Sequence, residues 1–223
     1  MYLIGTSNAV DAVSDLDAIR VNCNLNSQNC GEIHEGFHLR YSRVQSQVWD
    51  FLNNFGSNTI HYDLFITGHS LGAAMGTIAA LDIATSHTKF ASIHLRTIGS
   101  PRVGNMDFVN IFNQFLPVND SMKFMTHIRY VHHQEDDPTR IDPITTLPSE
   151  RMGFMHIIDP TYIEYINVAA DSTSNHNHPI LDNAEVAFSD LSGINLHGSD
   201  GYLLSFEKIG PNYQQCMDPT QPV

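Results

Sequence analysis

Basic residues are scarce in this chain of 223 residues, where 11 Lys and Arg stand against 24 Asp and Glu and the formal net charge is -13. A protein that binds nucleic acid needs a basic surface to neutralise phosphates, and tight docking on an anionic membrane needs one as well. We therefore expect no nucleic-acid partner and no strong attachment to anionic lipid.

Long apolar runs are also missing. No stretch of about 18 apolar residues occurs, so we predict no transmembrane helix. Residues 1–6 have neither the basic segment nor the apolar segment of a signal peptide. With 42% hydrophobic and 16% charged residues, the composition is typical of a folded globular protein. We expect a single domain over residues 1–223, with residues 204–223 as a peripheral tail.

Only three cysteines are present, Cys23, Cys30 and Cys216. The first two are close enough in sequence to close a short loop, which would leave one unpaired, and three free thiols are an equal alternative. The pair His176 and His178 has no cysteine or carboxylate at ligand spacing around it. We expect no bound metal and no organic cofactor.

Helix and strand patterns alternate along the chain. Apolar residues between 37 and 52 recur at helical spacing, Asp63 to Thr67 is typical of a buried strand, and Leu71 to about Ala84 of an Ala-rich helix. A strand pattern, a helix pattern and a second strand pattern follow at residues 91–98, 106–116 and 124–133, and residues 134–148 look like an acidic loop. This order predicts an α/β fold with a mostly parallel central sheet flanked by helices, whose sites form beyond the carboxyl ends of the strands.

The segment Gly68-His69-Ser70-Leu71-Gly72 joins the predicted buried strand to the Ala-rich helix. This is the context of a nucleophile elbow, a turn so sharp that glycine is needed on both sides of an exposed serine hydroxyl. Ser70 is therefore the candidate nucleophile. The backbone N–H of Leu71, at the start of the helix, is a candidate donor to an oxyanion.

A serine nucleophile needs a histidine base and an acid that orients the base, and in this architecture they follow in the order serine, acid, histidine. By position the acid is one of the carboxylates in the loop after the last predicted strand. By position the base is a histidine near the end of the chain. The acids are Glu135, Asp136 and Asp137, and the histidines are His176, His178 and His197.

Several stretches in one order resemble the class 3 lipases, the fungal triacylglycerol lipase-like branch of the α/β-hydrolases. The resemblance covers about residues 3 to 203, and its most specific segment runs from Thr97 to Asn105. The matching stretches are Gly5-Thr6-Ser7, Asp15-Leu16, His34-Glu35-Gly36-Phe37, the serine elbow, Thr97-Ile98-Gly99-Ser100-Pro101-Arg102-Val103-Gly104-Asn105 and Gly153-Phe154-Met155-His156.

The resemblance selects among the candidates. It implies that Asp137 is the acid, because Asp137-Pro138 and Pro143 resemble the family's Asp-Pro pattern, with Asp136 as the alternative. It implies that His197 is the base, since an aromatic residue follows it, and that Thr6 is the second oxyanion donor. Because the family's first strands precede the Thr6 turn, we expect an α/β-hydrolase fold that lacks them, truncated at the N-terminus relative to the family.

The resemblance also implies a lid over Ser7 to Leu16, with Ala12 where many members carry tryptophan. It implies a Cys23–Cys30 bridge and a secreted or lumenal location. The implied function is hydrolysis of lipid carboxylic esters, similar to a triacylglycerol lipase, with transient contact at a lipid interface and no obligate protein partner. A phospholipase A1, a polar-ester esterase and a non-catalytic lipid-binding relative are the alternatives.

Overall fold

The computed structural model describes residues 2–3, 18–54, 62–86, 90–116, 125–134, 137–165 and 197. Eight strands, three α-helices and two short 3-10 turns lie within these residues. In chain order they are β1 (Tyr2–Leu3), β2 (Arg20–Leu25), β3 (Gln28–His34), α1 (Glu35–Asn54), β4 (Tyr62–His69), α2 (Leu71–Thr85), β5 (Phe90–Ile98), α3 (Met106–Asn113), β6 (Met125–Gln134), β7 (Asp137–Ile141), the turns Pro143–Thr146 and Glu150–Met152, and β8 (Pro160–Tyr165).

The central sheet is mostly parallel. Strands β1, β4, β5 and β6 are neighbours in that order, all parallel, and β8 also runs parallel to β6. Strand β7 is antiparallel to the end of β6. Because His133 and Gln134 of β6 pair with β8 as well as with β7, β7 must use the other edge of β6, beyond the end of β5. The predicted α/β fold with a parallel central sheet is confirmed.

Helix α2 has no exposed face, because all 15 of its residues are buried. Most of them are apolar, as is typical of a helix inside a protein. Its small residues allow close packing against β4 and β5. Helix α1 is amphipathic, as predicted, and buries its apolar stripe. The buried side chains of α1 are Phe37, Tyr41, Val48 and Leu52.

A buried aspartate joins α1 to α2. The side chain of Asp82 in α2 is fully buried, and its Oδ2 accepts hydrogen bonds from Tyr41 (2.6 Å), Gln45 (2.9 Å) and Trp49 (2.9 Å). These three donors are spaced by four residues on α1, so they lie on one face. Burial and the Asp82 carboxylate raise the pKa of Tyr41 above its ordinary range. The network holds α2, and with it the turn that carries Ser70, against α1.

Strands β2 and β3 form a hairpin that the sequence analysis did not predict. Its two turn residues, Asn26 and Ser27, have φ angles of 50° and 64°, as a tight two-residue hairpin turn requires. The predicted bridge between Cys23 and Cys30 is confirmed, with Cα atoms 5.0 Å apart across the hairpin. In the described parts of the chain, no helix combines the length and apolarity needed to span a bilayer.

Candidate active site

Ser70 lies in the sharp turn between β4, which ends at His69, and α2, which begins at Leu71. Its φ of 56° and ψ of -128° are strained for a residue with a side chain, and such strain concentrates at functional sites. At Gly68 a Cβ would lie 2.8 Å from the backbone nitrogen of Ala73 and would overlap Gly72. The glycine therefore permits the close approach of strand and helix that the elbow requires.

The Ser70 hydroxyl is not used to cap the helix. Ser70 is the N-cap residue of α2, but its side chain makes no capping hydrogen bond. Its backbone nitrogen donates to the carbonyl oxygen of Ile98 (2.9 Å), which fixes the turn against the end of β5. The backbone N–H of Leu71 belongs to the first turn of α2, where amide groups and the helix dipole favour negative charge. Thr6, the second expected oxyanion donor, lies outside the described residues.

His197 and Asp142 form a buried pair beside this turn. The Nδ1 atom of His197 lies 2.8 Å from Oδ2 of Asp142, and both side chains are almost completely buried. The second carboxylate oxygen of Asp142 accepts from the backbone nitrogen of Ile144 (3.0 Å). The backbone nitrogen of Asp142 donates to the carbonyl oxygen of His132 at the end of β6 (2.9 Å). The carboxylate is therefore held rigidly where it can orient an imidazole.

The expected pairing of Asp137 with His197 is wrong, because Asp142 occupies that position. The sequence analysis treated residues 134–148 as a loop, whereas residues 137–141 form strand β7, whose Asp137 pairs with Gln134 of β6. The strand carries the chain onward, so the partner of His197 comes five residues later. Asp136, the alternative acid, lies outside the described residues.

The Asp142 bond also fixes the tautomer of the neutral His197 ring. A carboxylate only accepts, so Nδ1 of His197 donates, and in the neutral ring Nε2 carries a lone pair. Nε2 is buried and has no hydrogen-bond partner within the described residues. A neutral imidazole in this tautomer can accept a proton at Nε2.

Gly99 makes room for the buried pair. It follows β5 with a φ of +56°, and a Cβ at this position would lie 2.9 Å from Oδ2 of Asp142 and 3.1 Å from Nδ1 of His197. A side chain there would be strained by the backbone angle and would press on both groups. The sequence analysis placed Gly99 in the most specific matching segment but assigned it no role.

The turn after Asp142 is held by a buried arginine. Nη1 of Arg102 donates to the carbonyl oxygens of Thr146 and Pro148, and its backbone nitrogen donates to that of Leu147. The Nη2 atom of Arg102 forms an ion pair with Glu150 at 3.0 Å. These bonds satisfy carbonyl groups at the end of the 3-10 turn and directly after it. Arg102 is therefore a structural support for the acid.

His156 supports the same turn. Its Nε2 donates to the carbonyl oxygen of Thr145 (2.6 Å). Burial, followed by the charges of Arg129 and Arg102, lowers the pKa of His156 well below its ordinary value of 6.5. His156 is therefore neutral, with its proton on the nitrogen that lies against Thr145.

The other sequence-based candidates fall outside the described residues. They are Glu135, His176, His178, Cys216 and the lid segment Ser7 to Leu16. Within the described part of the chain, no group of three His, Cys, Asp or Glu side chains has an arrangement that would hold a metal ion.

The chain is similar to known lipases. The chain is 27% identical over 196 residues to secreted mono- and diacylglycerol lipase A of Penicillium cyclopium, and these aligned residues cover 86% of this chain and 55% of the relative. It is 35% identical over 94 residues to a chloroplastic phospholipase A(1) of Arabidopsis thaliana, covering 38% of this chain and 21% of that protein. It thus spans about half the length of the secreted lipase it matches.

A solved structure shares the fold. It is a triacylglycerol lipase whose catalytic centre is described as a serine protease triad, with a TM-score of 0.53 and 25% identity over 75% of this chain and 58% of the other. The model of the family "Lipase (class 3)" matches residues 1–150, which include the serine elbow, Gly99 and Asp142. The chain belongs to the class 3 lipase family.

Proposed function

We propose that this protein is a serine hydrolase that cleaves carboxylic esters of lipids. The observation that carries the proposal is the buried hydrogen bond between His197 and Asp142 beside the strained elbow of Ser70. This arrangement supports the roles of nucleophile for Ser70, base for His197 and orienting acid for Asp142.

In the proposed reaction, Ser70 Oγ attacks the ester carbonyl while Nε2 of His197 takes the hydroxyl proton. The negative charge on the tetrahedral oxygen is stabilised by the N–H of Leu71 and, in the family's manner, by Thr6. His197 then passes its proton to the leaving alcohol, and the acyl group stays on Ser70. Water repeats the sequence and releases the fatty acid. Asp142 stays ionised and stabilises the imidazolium.

Neutral acylglycerols are the substrates that we propose. The relative with the longer match is named as a lipase of mono- and diacylglycerols, and a net charge of -13 opposes approach to anionic headgroups. The Cys23–Cys30 bridge agrees with an oxidising compartment, and that relative is named as secreted. We therefore propose a secreted or lumenal location.

Phospholipase A1 activity is the second candidate, favoured by the local match of 35% identity to a plant phospholipase A(1). The same triad would serve either substrate, because both reactions cleave a carboxylic ester. The substrates differ in the group carried elsewhere on the glycerol, which is a phosphorylated headgroup in one and a hydroxyl or acyl group in the other.

A substrate panel tests the proposal. Purified wild-type protein and Ser70→Ala are assayed for fatty acid release from a diacylglycerol, a triacylglycerol and a phosphatidylcholine. We expect release from the neutral glycerides, and a loss on the order of 10⁴-fold or more in Ser70→Ala. Release from phosphatidylcholine alone would favour the phospholipase assignment. Lack of release from every ester would leave the non-catalytic alternative.

A further inference from the structure

His69 is the last residue of β4, directly before Ser70, and its side chain contacts the candidate base. Its Nε2 is 2.9 Å from the main-chain oxygen of His197. The two imidazole rings stack with their centroids 4.7 Å apart and their planes 30° from parallel. We propose that His69 is a positioning residue that fixes both the main chain and the ring of His197 relative to Ser70. This inference rests on the proposed function.

The ring stack and the hydrogen bond from His69 constrain different parts of His197, its ring and its main chain. The bond from Asp142 holds one ring nitrogen of His197, but a ring held at a single atom can still swing about that bond. The stack against His69 blocks this motion on one face, and the bond to the carbonyl oxygen holds the backbone from which the ring projects. Because His69 is covalently bonded to Ser70, a movement of the elbow carries these contacts with it. Base and nucleophile are thus kept in register.

Neutrality makes histidine suitable at this position. Burial, and then the charge of His197, lower the pKa of His69 to about 4, so the ring is uncharged near neutral pH. A carbonyl oxygen only accepts, so Nε2 of His69 carries the proton and donates. His197 becomes an imidazolium during the reaction, and a charged neighbour in the stack would oppose that step. A neutral imidazole can stack on the His197 ring, donate a hydrogen bond to its carbonyl oxygen and add no charge beside the imidazolium.

Three substitutions separate the two contacts. His69→Phe retains a ring for stacking and loses the donor, His69→Gln retains a donor and loses the ring, and His69→Ala loses both. Since a misplacement of about 1 Å costs on the order of 10²-fold in rate, we expect a kcat loss of that order in His69→Ala. The Phe and Gln variants should lose roughly tenfold each. KM for a soluble short-chain ester should not change, because His69 contacts the base and not the substrate.

His94 provides the matched control. It stacks on Phe65 with centroids 4.6 Å apart and its ring nitrogens bond to Ser92 (3.0 Å) and Thr126 (2.9 Å). These contacts are of the same kinds as those of His69, but they lie near the opposite ends of the strands. His94→Ala should lower the melting temperature and leave kcat close to that of the wild type.

The experiment measures kcat, KM and melting temperature for the wild type and these variants, with Ser70→Ala as the inactive reference. A kcat loss confined to the His69 series, with KM unchanged, supports the positioning role. If His69→Phe and His69→Gln keep the kcat of the wild type while Ser70→Ala is inactive, the positioning role is overturned and the proposed function stands. Because the Phe and Gln side chains fill the site, these two variants decide the question even if His69→Ala unfolds. An equal loss in His94→Ala would also overturn it. An inactive wild type would overturn the proposed function and this inference together.

Discussion

Two groups of one aspartate, one serine and one histidine lie at opposite ends of strands β4 and β5. At the amino ends, Ser92 lies 2.5 Å from Oδ1 of Asp63 and 3.0 Å from Nε2 of His94. A carboxylate can only accept hydrogen bonds. The Ser92 hydroxyl therefore donates a hydrogen bond to Asp63 and accepts one from His94. The pKa of His94 is lowered by burial and by the charge of Arg96, which keeps the ring neutral. Here the serine stands between acid and histidine.

At the carboxyl ends the order is different. The histidine stands between acid and serine: Asp142 accepts from Nδ1 of His197, and the opposite nitrogen is left as an acceptor. The hydroxyl of Ser70 caps no helix and its backbone is strained, whereas Ser92 lies in the regular strand β5. The same three residue types therefore give a structural hydrogen-bond chain at one end and a candidate triad at the other. What separates them is which group donates to the carboxylate.

The largest contrast that we expect concerns the acid. Asp142→Asn removes the carboxylate that holds the productive tautomer of His197 and should lower kcat by on the order of 10⁴-fold. Asp137→Asn lies in the same segment, changes charge in the same way and should leave kcat close to that of the wild type. Initial rates on a soluble ester check this pair. Comparable losses in both variants would refute the assignment of Asp142.

A substitution of Gly99 tests the group at the carboxyl ends of the strands, because Gly99 lies against Asp142 and His197. In Gly99→Ala the added methyl group meets Asp142 and His197 at about 3 Å on a backbone with φ of +56°. We expect kcat to fall on the order of 10²-fold and the free energy of unfolding to fall by about 1–3 kcal/mol. Ala91→Gly, an exposed position on β5, is the control. Full activity in Gly99→Ala would mean that the pair does not need this geometry.

A substitution of Arg102 tests whether Asp142 depends on the 3-10 turn that follows it. Arg102→Ala leaves the buried carbonyl groups of Thr146 and Pro148 without their donor, so we expect a loss of about 3 kcal/mol in stability together with reduced kcat. Glu150→Ala removes only the partly exposed partner and should cost less than about 1 kcal/mol. Urea unfolding and initial rates of both proteins check this. Equal stability of the two variants would contradict the supporting role.

The last expected effect is a change of stability with pH. Burial lowers the pKa of His127 to about 3 and that of His69 to about 4, and His156 is lowered as well. Below the ordinary pKa of 6.5 the unfolded chain takes up protons that the folded protein does not, so stability falls as the pH falls toward 4. His127→Gln should remove about 1.4 kcal/mol per pH unit of that dependence. Melting curves between pH 7.5 and 4.5 check it, and an identical slope in both proteins would contradict it.

The parallel α/β fold and the elbow were predictable because both rest on local patterns. Buried strands give apolar runs, α1 gives a 3.6-residue period, and the elbow needs glycine at Gly68 because the chain turns sharply there. These signals come from residues that are close together in the sequence. The resemblance to the class 3 lipases then selected His197 from three histidines.

The acid was not predictable because the signal for it occurs twice in the segment after β6. Asp-Pro is found at residues 137–138 and again at 142–143, and the first was chosen by its spacing to Pro143. The choice depends on whether the intervening residues form a loop or the strand β7, which pairs with β6 through the sheet. In the structure the second copy caps a 3-10 turn, with Asp142 as the N-cap and Pro143 at the start of the turn. The β2–β3 hairpin was missed because its Asn-Ser turn is a weak form of the usual Asn-Gly signal.

Mapping the activated serine tests the central claim most directly. The wild-type protein is treated with a fluorophosphonate probe, digested and analysed by mass spectrometry, with Ser70→Ala and Ser92→Ala alongside. We predict a single adduct on the peptide that contains Ser70, unchanged labelling of Ser92→Ala and no labelling of Ser70→Ala. An adduct on Ser92, or undiminished labelling of Ser70→Ala, would contradict the account.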